Sequence, residues 1–249
     1  MQAPCPVIDA HTHLWPERTD RDAAALIEMA DRFGLEQVWV SALFGGNHPP
    51  PAALDAGNAA ALDLAERDAR FRVWVRVEPA HGRHMLQTVE RLVRDGPGIG
   101  VKVWLHPADS PEMDPLLERL TAWGRPLLIH AWRKATGNYG GESEPAQVAV
   151  LARRHPEAHI LMAHLGGDWL HGCEAIRACP NVWADICGTV CERGMVPWAV
   201  RTLGARRVVF GTDAPAVSFL NNLAKVLAEP LDRPTVERIL HQNARELVA

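Results

Sequence analysis

The pattern that most constrains this chain is an alternation of short β-forming runs with helical stretches, repeated eight times without a break. The runs fall at residues 7–15 (VIDAHTHLW), 37–43 (QVWVSAL), 71–77 (FRVWVRV) and 100–105 (GVKVWL), then at 126–130 (PLLIH), 159–164 (HILMAH), 181–186 (NVWADI) and 207–210 (RVVF). Each is too short for a stable helix and is built from residues that suit a pleated, buried surface. Between them the spacing turns helical. Leu26, Ile27, Ala30 and Phe33 share one face of a segment over 20–34 that Gly34 closes. Further helices are predicted over 54–69, 84–95, 115–123, 145–155, 169–178 and 194–203, with two more, 218–228 and 234–248, finishing the chain. Strands that each feed a helix imply a parallel sheet with right-handed crossovers. Eight such units in 249 residues predict a single (β/α)8 barrel (TIM barrel) domain over 1–249. An open doubly wound sheet is the alternative, weakened because no Gly-x-Gly-x-x-Gly turn follows the first strand.

Composition removes several classes of function. Apolar residues make up 47% of the chain, enough for a large core, yet no uncharged apolar run reaches membrane-spanning length. The first strand begins with no basic-then-apolar leader before it, so no secretion signal is expected. A net charge of −4 with both signs interspersed argues against a nucleic-acid or membrane-surface partner. The five cysteines are odd in number and irregularly spaced, which predicts reduced thiols in a cytoplasmic setting. Cys187 and Cys191 lie four apart, but no second pair with zinc-finger spacing accompanies them.

Barrel enzymes carry their chemistry at the C-terminal ends of the strands. His11 and His13 are two apart in the first strand and therefore share a face, with Asp9 on the same side. A lone His-x-His means little in a chain with twelve histidines. Here, however, His130 ends the fifth strand, His164 the sixth, and Asp213 follows the eighth. Coincident strand-end placement of metal-capable side chains predicts a site for a borderline cation: three histidines, one aspartate and an open position for water.

The motifs DAHTHL (9–14), GVKVWLHP (100–107), IHA (129–131), AHLGG (163–167), FGTDAP (210–215) and QNARELV (242–248) run in order along nearly the whole chain. On these motifs it resembles the amidohydrolase superfamily, most closely the amidohydrolase-related ("amidohydrolase 2") branch. The resemblance implies His11 and His13 as metal ligands, with His130 and Asp213 completing the shell. It implies His164 as a near-metal residue able to hold a second metal or to act as acid or base. The branch includes hydrolases of lactones and amides, nonoxidative decarboxylases of aromatic or unsaturated acids, and hydratases.

Three other positions are candidates for substrate contact. Lys102, one of only three lysines, lies on the fourth strand, where binuclear relatives carry a carboxylated bridging lysine. Four residues separate it from Pro107, so a barrel-interior cation paired with Asp9 or with a substrate carboxylate is the preferred reading. His106 reads as a pocket-wall residue. Arg133, beside Lys134 in the loop after the fifth strand, suits an anionic substrate, against the plainer reading of a solvated loop. Trp169 is a candidate pocket wall, and Gly166–Gly167 would let the backbone approach a ligand closely. The expectation is therefore a metal-dependent hydrolase with one divalent cation per chain, zinc or alternatively manganese. It would act on a small, anionic carbonyl compound (lactone, amide or ester) through an activated water, with His164 and Asp213 as proton carriers. A nonoxidative decarboxylase using the same site is the rival. A non-enzymatic small-molecule-binding barrel is the third reading, and a homo-oligomer is left open.

Overall fold

The computed structural model describes residues 3–249. Eight parallel strands run in sequence order: β1 (Ile8–Leu14), β2 (Gln37–Ala42), β3 (Phe71–Arg76), β4 (Gly100–Val103), β5 (Leu127–Ile129), β6 (Ile160–Met162), β7 (Val182–Asp185) and β8 (Val208–Val209). The sheet curls until its two edges meet. Ala10 N donates to Phe210 O (3.1 Å), His13 N to Ala214 O (2.8 Å) and Asp213 N to His11 O (2.8 Å). Closure thus runs through the residues that follow β8, and the result is the expected (β/α)8 barrel.

Helices follow each strand: α1 (Thr19–Phe33), α2 (Pro51–Arg67), α3 (Arg83–Val89), α4 (Asp114–Ala122), α5 (Pro145–Arg154), α6 (Trp169–Ile176), α7 (Met195–Leu203) and α8 (Phe219–Leu227), with α9 (Arg233–Glu237) and α10 (Asn243–Leu247) at the end. Local chemistry sets their limits. Gly34 ends α1 with a left-handed φ of 63°. Glu144 and Gln147 form a reciprocal capping box at the start of α5, with Pro145 at its first turn. Among the described residues no helix is long and apolar enough to cross a membrane, and all five cysteines are free thiols.

Two apolar layers hold the barrel. The larger one lies between sheet and helices and draws on side chains such as Leu26, Val40, Val73, Val101 and Leu223. The smaller one fills the barrel with Ile8, Trp39, Trp74, Leu128, Leu161 and Val209, and α10 adds Ala244 and Leu247. Trp39 and Trp74 meet edge to face, with ring centroids 5.6 Å apart. Trp74 Nε1 donates to Ala10 O (2.9 Å), so its one polar atom is satisfied inside the plug. A buried tryptophan of this kind is worth about 3–5 kcal/mol against alanine.

The strands are shorter than the apolar runs that announce them. β4 stops at Val103, β5 at Ile129 and β6 at Met162, so His130 and His164 lie just past the ladder. After β6 the chain makes a tight turn, Ala163–Gly166, in which His164 and Leu165 take positive φ of 62° and 48°. That backbone cannot extend a strand, although its side chains keep the apolar pattern of one. The helices predicted at 84–95 and 234–248 are each interrupted by a wider turn, Glu90–Arg94 and Arg238–Gln242.

Candidate metal centre

The site is built from β1 outward. Pairing between β1 and β2 slips between Asp9 and Thr12, a bulge that re-aims the histidines at the barrel mouth. His11 Nε2 and His13 Nε2 face one another at 3.0 Å, and Asp213 Oδ1 lies 3.1 Å from His13 Nε2. His11, His13 and Asp213 offer donor atoms that all lie within 4.8 Å of one another. Two nitrogens bound tetrahedrally to zinc at about 2.0–2.1 Å would stand about 3.3 Å apart. The observed spacing is close to that.

Their other nitrogens are occupied. His11 Nδ1 donates to Asp185 Oδ2 (2.8 Å), which leaves Nε2 as a lone pair. Ser41 Oγ, 2.9 Å from His13 Nδ1, can accept from it and free the second Nε2. Burial, opposed by the nearby Asp213 carboxylate, brings the His13 pKa down to about 4, so it is a neutral ligand atom at pH 7. Burial pushes the Asp213 carboxyl up, but the neighbouring His13 and the surrounding imidazoles more than offset this and hold it ionised. Two imidazole nitrogens and a carboxylate fit a borderline divalent cation.

A second triad, His11, His164 and Cys187, adjoins the first. Cys187 Sγ lies 3.1 Å from both His11 Nδ1 and His164 Nδ1. Burial, reinforced by Asp185, raises the thiol well above its usual range, so it remains protonated. His164 is held by its backbone N–H donating to Asp185 Oδ1 (2.8 Å). Its Nε2 faces His130 Nδ1 at 3.1 Å. Burial and the neighbouring His130 keep His164 well below the ordinary imidazole range, so it is uncharged. His130 is therefore joined to the His11–His13–Asp213 group through His164 and is not one of its three convergent donors. Its Nε2 contacts Glu142 Oε1 at 2.9 Å.

Lys102 is fully buried and its Nζ lies 3.1 Å from His11 Nε2. Burial lowers its pKa to about 8 against the pull of Asp185. Its expected partner Asp9 is taken instead by Thr212, whose N–H (3.0 Å) and Oγ1 (2.5 Å) both donate to it. The β1 bulge is the reason: it parts Asp9 from the histidine face and turns it to the seam with β8. Arg76, on β3, is a second buried cation; it clamps the loop after β2 by donating to Phe44 O and Gly46 O.

The remaining candidates are more dispersed. Arg133 is exposed, and its backbone N–H donates to Gly166 O (2.9 Å). Trp169 packs on Trp198 and donates to Glu192 Oε2 (2.9 Å). His106 is bound by Glu78 (2.8 Å). Trp132 covers the His130–His164 pair, its ring centroid 4.9 Å from that of His164. Gly166 and Gly167 serve protein packing: a Cβ there would meet Pro145 and the Trp132 ring, each at 2.4 Å. A cavity of about 370 Å³ opens beside His130, lined by Trp104, Leu105, Lys134, Tyr139, Glu142 and Asn47. Asp185, Cys187, Ser41 and Glu142 are absent from the sequence-based site. Asp185 ends β7, Cys187 follows it and Ser41 lies at the end of β2, so the same strand-end rule reached all three; Glu142, in the loop after β5, carries no such mark.

The model of the amidohydrolase family matches residues 8–249, and the chain belongs to that family. It is an enzyme of the amidohydrolase barrel type, with a donor set able to hold a divalent cation. No curated protein matches it in sequence. Solved structures share its fold at low identity. A 2,6-dihydroxybenzoate decarboxylase from Rhizobium has a TM-score of 0.80 at 14% identity, with 100% of this chain and 99% of that one covered. A dihydroxybenzoic acid decarboxylase from Polaromonas sp., with bound manganese and the inhibitor 2-nitroresorcinol, gives 0.75 at 15%, covering 98% and 96%. An amidohydrolase from Burkholderia multivorans with bound zinc gives 0.74 at 16%, covering 98% and 99%.

Proposed function

We propose that the protein is a metal-dependent hydrolase of a small, anionic carbonyl compound (a lactone, amide or ester), with one divalent cation per chain, zinc or manganese. The observation that carries this reading is the convergence of His11 Nε2, His13 Nε2 and Asp213 Oδ1, with His11 held by Asp185 in the tautomer that exposes its ligating atom. His130 is the fourth ligand in this reading, through Nδ1. A cation bound there supplies Lewis acidity toward water and toward a carbonyl oxygen.

The chain's own residues do the rest. His164, neutral and next to the donor group, takes a proton from the attacking water and returns it to the leaving group. Asp213, held ionised, serves as a ligand, with proton transfer a second role. Lys102 and Arg76 put two buried positive charges at the barrel mouth, which favours a substrate bearing a carboxylate. Arg133 and Trp169 are kept in this reading as contacts for a larger substrate. Trp132 screens the His130–His164 pair from water. The free thiols suit a cytoplasmic setting, and the interspersed charge suits a chain with no nucleic-acid or membrane partner.

Decarboxylation by the same residues is the second reading, supported by the decarboxylases among the structural neighbours; His164 would then deliver a proton to carbon. The test combines elemental analysis of metal-replete protein with a panel of lactones, amides, esters and small unsaturated or aromatic acids. About one divalent metal per chain and acid release from the first three classes are expected. Carbon dioxide release without hydrolysis would replace the hydrolase by the decarboxylase. A wild type without metal would remove both.

A further inference from the structure

The loop joining β5 to α5 is ordered around one acceptor. Its ends pair as a parallel bridge, Ala131 with Ser143. Trp132 N donates to Ser143 O (2.8 Å). Ser143 Oγ is tied to the loop after β4, donating to His106 O (2.7 Å) and accepting from Ala108 N (2.9 Å). Inside this frame lies Glu142, whose side chain is 2% exposed. Its Oε1 faces His130 Nε2 at 2.9 Å, Lys134 Nζ reaches both oxygens (2.7 and 2.6 Å), and Tyr139 N donates to Oε2 (3.0 Å). So many donors around one buried carboxyl keep it ionised, and an ionised carboxylate can only accept. The His130 nitrogen that faces it must therefore carry the hydrogen. The opposite nitrogen, Nδ1, is left as a lone pair turned inward to His164 Nε2.

We propose that Glu142 is a positioning residue that fixes His130 in its Nε2–H tautomer, so that Nδ1 is the atom His130 presents to the metal centre. Lys134 and the Tyr139 amide hold the carboxylate in place, which makes the loop part of the site. The consequence for metal binding rests on the reading of His130 as a ligand; the tautomer does not.

Glu142→Gln is the discriminating variant, because it keeps shape and volume. The Tyr139 backbone amide is fixed at the Oε2 position, whereas Lys134 Nζ reaches both positions and can keep to that one, so the new carbonyl oxygen belongs there and the –NH2 turns to His130. His130 must then accept through Nε2 and carry its hydrogen on Nδ1. Nitrogen NMR of histidine-labelled, metal-free protein should show His130 as the Nε2–H tautomer in the wild type and as Nδ1–H in Glu142→Gln. Lys134→Met, which leaves the carboxylate, should keep the wild-type tautomer. Zinc affinity should fall about 10–100-fold in Glu142→Gln, the usual effect of losing a partner that orients a metal-binding histidine. An unchanged tautomer in Glu142→Gln, or Nδ1–H in the wild type, would overturn the assignment. A wild type with the expected tautomer that binds no zinc would sink the metal reading and leave the role of Glu142 standing.

Discussion

Gly172→Ala sets local propensity against tertiary structure, and the two disagree on sign. Gly172 lies inside α6, where alanine is favoured over glycine by about 1 kcal/mol. On local grounds the substitution should stabilise. In the fold, a Cβ at Gly172 would stand 1.9 Å from Leu165 O, 2.9 Å from Leu165 C and 3.2 Å from Gly166 Cα. All three are backbone atoms, so no rotamer change can relieve them. Comfortable separation is about 3.5 Å, and helix and turn must part by more than about 1 Å. The turn has little freedom to give, since His164, Leu165, Gly166 and Gly167 have four successive positive φ of 62°, 48°, 74° and 76°. Overpacking of this kind costs about 1–3 kcal/mol, occasionally more. With rigid backbone on both sides, the upper end applies, and after the propensity gain a net loss of about 2 kcal/mol remains. For a chain of this size that is a fall in Tm of about 4–8 °C. The same shift moves His164, and in the role proposed for it a displacement of about 1 Å can cost about a hundredfold in kcat. Denaturant unfolding and steady-state kinetics on one preparation provide the check. A variant with raised or unchanged Tm and wild-type turnover would refute the claim that this contact sets the turn.

Three further outcomes follow from the site. His11→Ala combined with His13→Ala should abolish metal retention, measured by elemental analysis, because it removes two of three convergent donors. His164→Asn should keep most of the metal and lower kcat by about two to four orders of magnitude; metal lost in parallel with activity would make His164 a ligand instead. In Asp185→Asn, the amide oxygen is held by the N–H groups of His164 and Cys187, so –NH2 faces His11. His11 then carries its hydrogen on Nε2, and zinc affinity measured by competition with a chelator should drop about 10–100-fold.

The eightfold alternation and the strand-end residues were legible because both are local. A period of two or 3.6 can be read within a dozen residues, and strand ends in a barrel converge whatever the loops do. His11, His13 and Asp213 meet for that reason, although some 200 residues separate the first from the last. What tertiary structure alone decided is which atom of each residue is available. Asp185 selects a nitrogen of His11 from 174 positions away. Thr212 takes Asp9 from Lys102 because closure of the β1–β8 seam, invisible to any periodicity, brings their backbones together. Residues 159–164 carry a strand's pattern, yet the chain leaves the ladder at Met162, because α6 packs against a left-handed turn that only the folded neighbour can hold. Side-chain type is written along the chain, whereas hydrogen-bond direction is set by whichever distant group arrives opposite it.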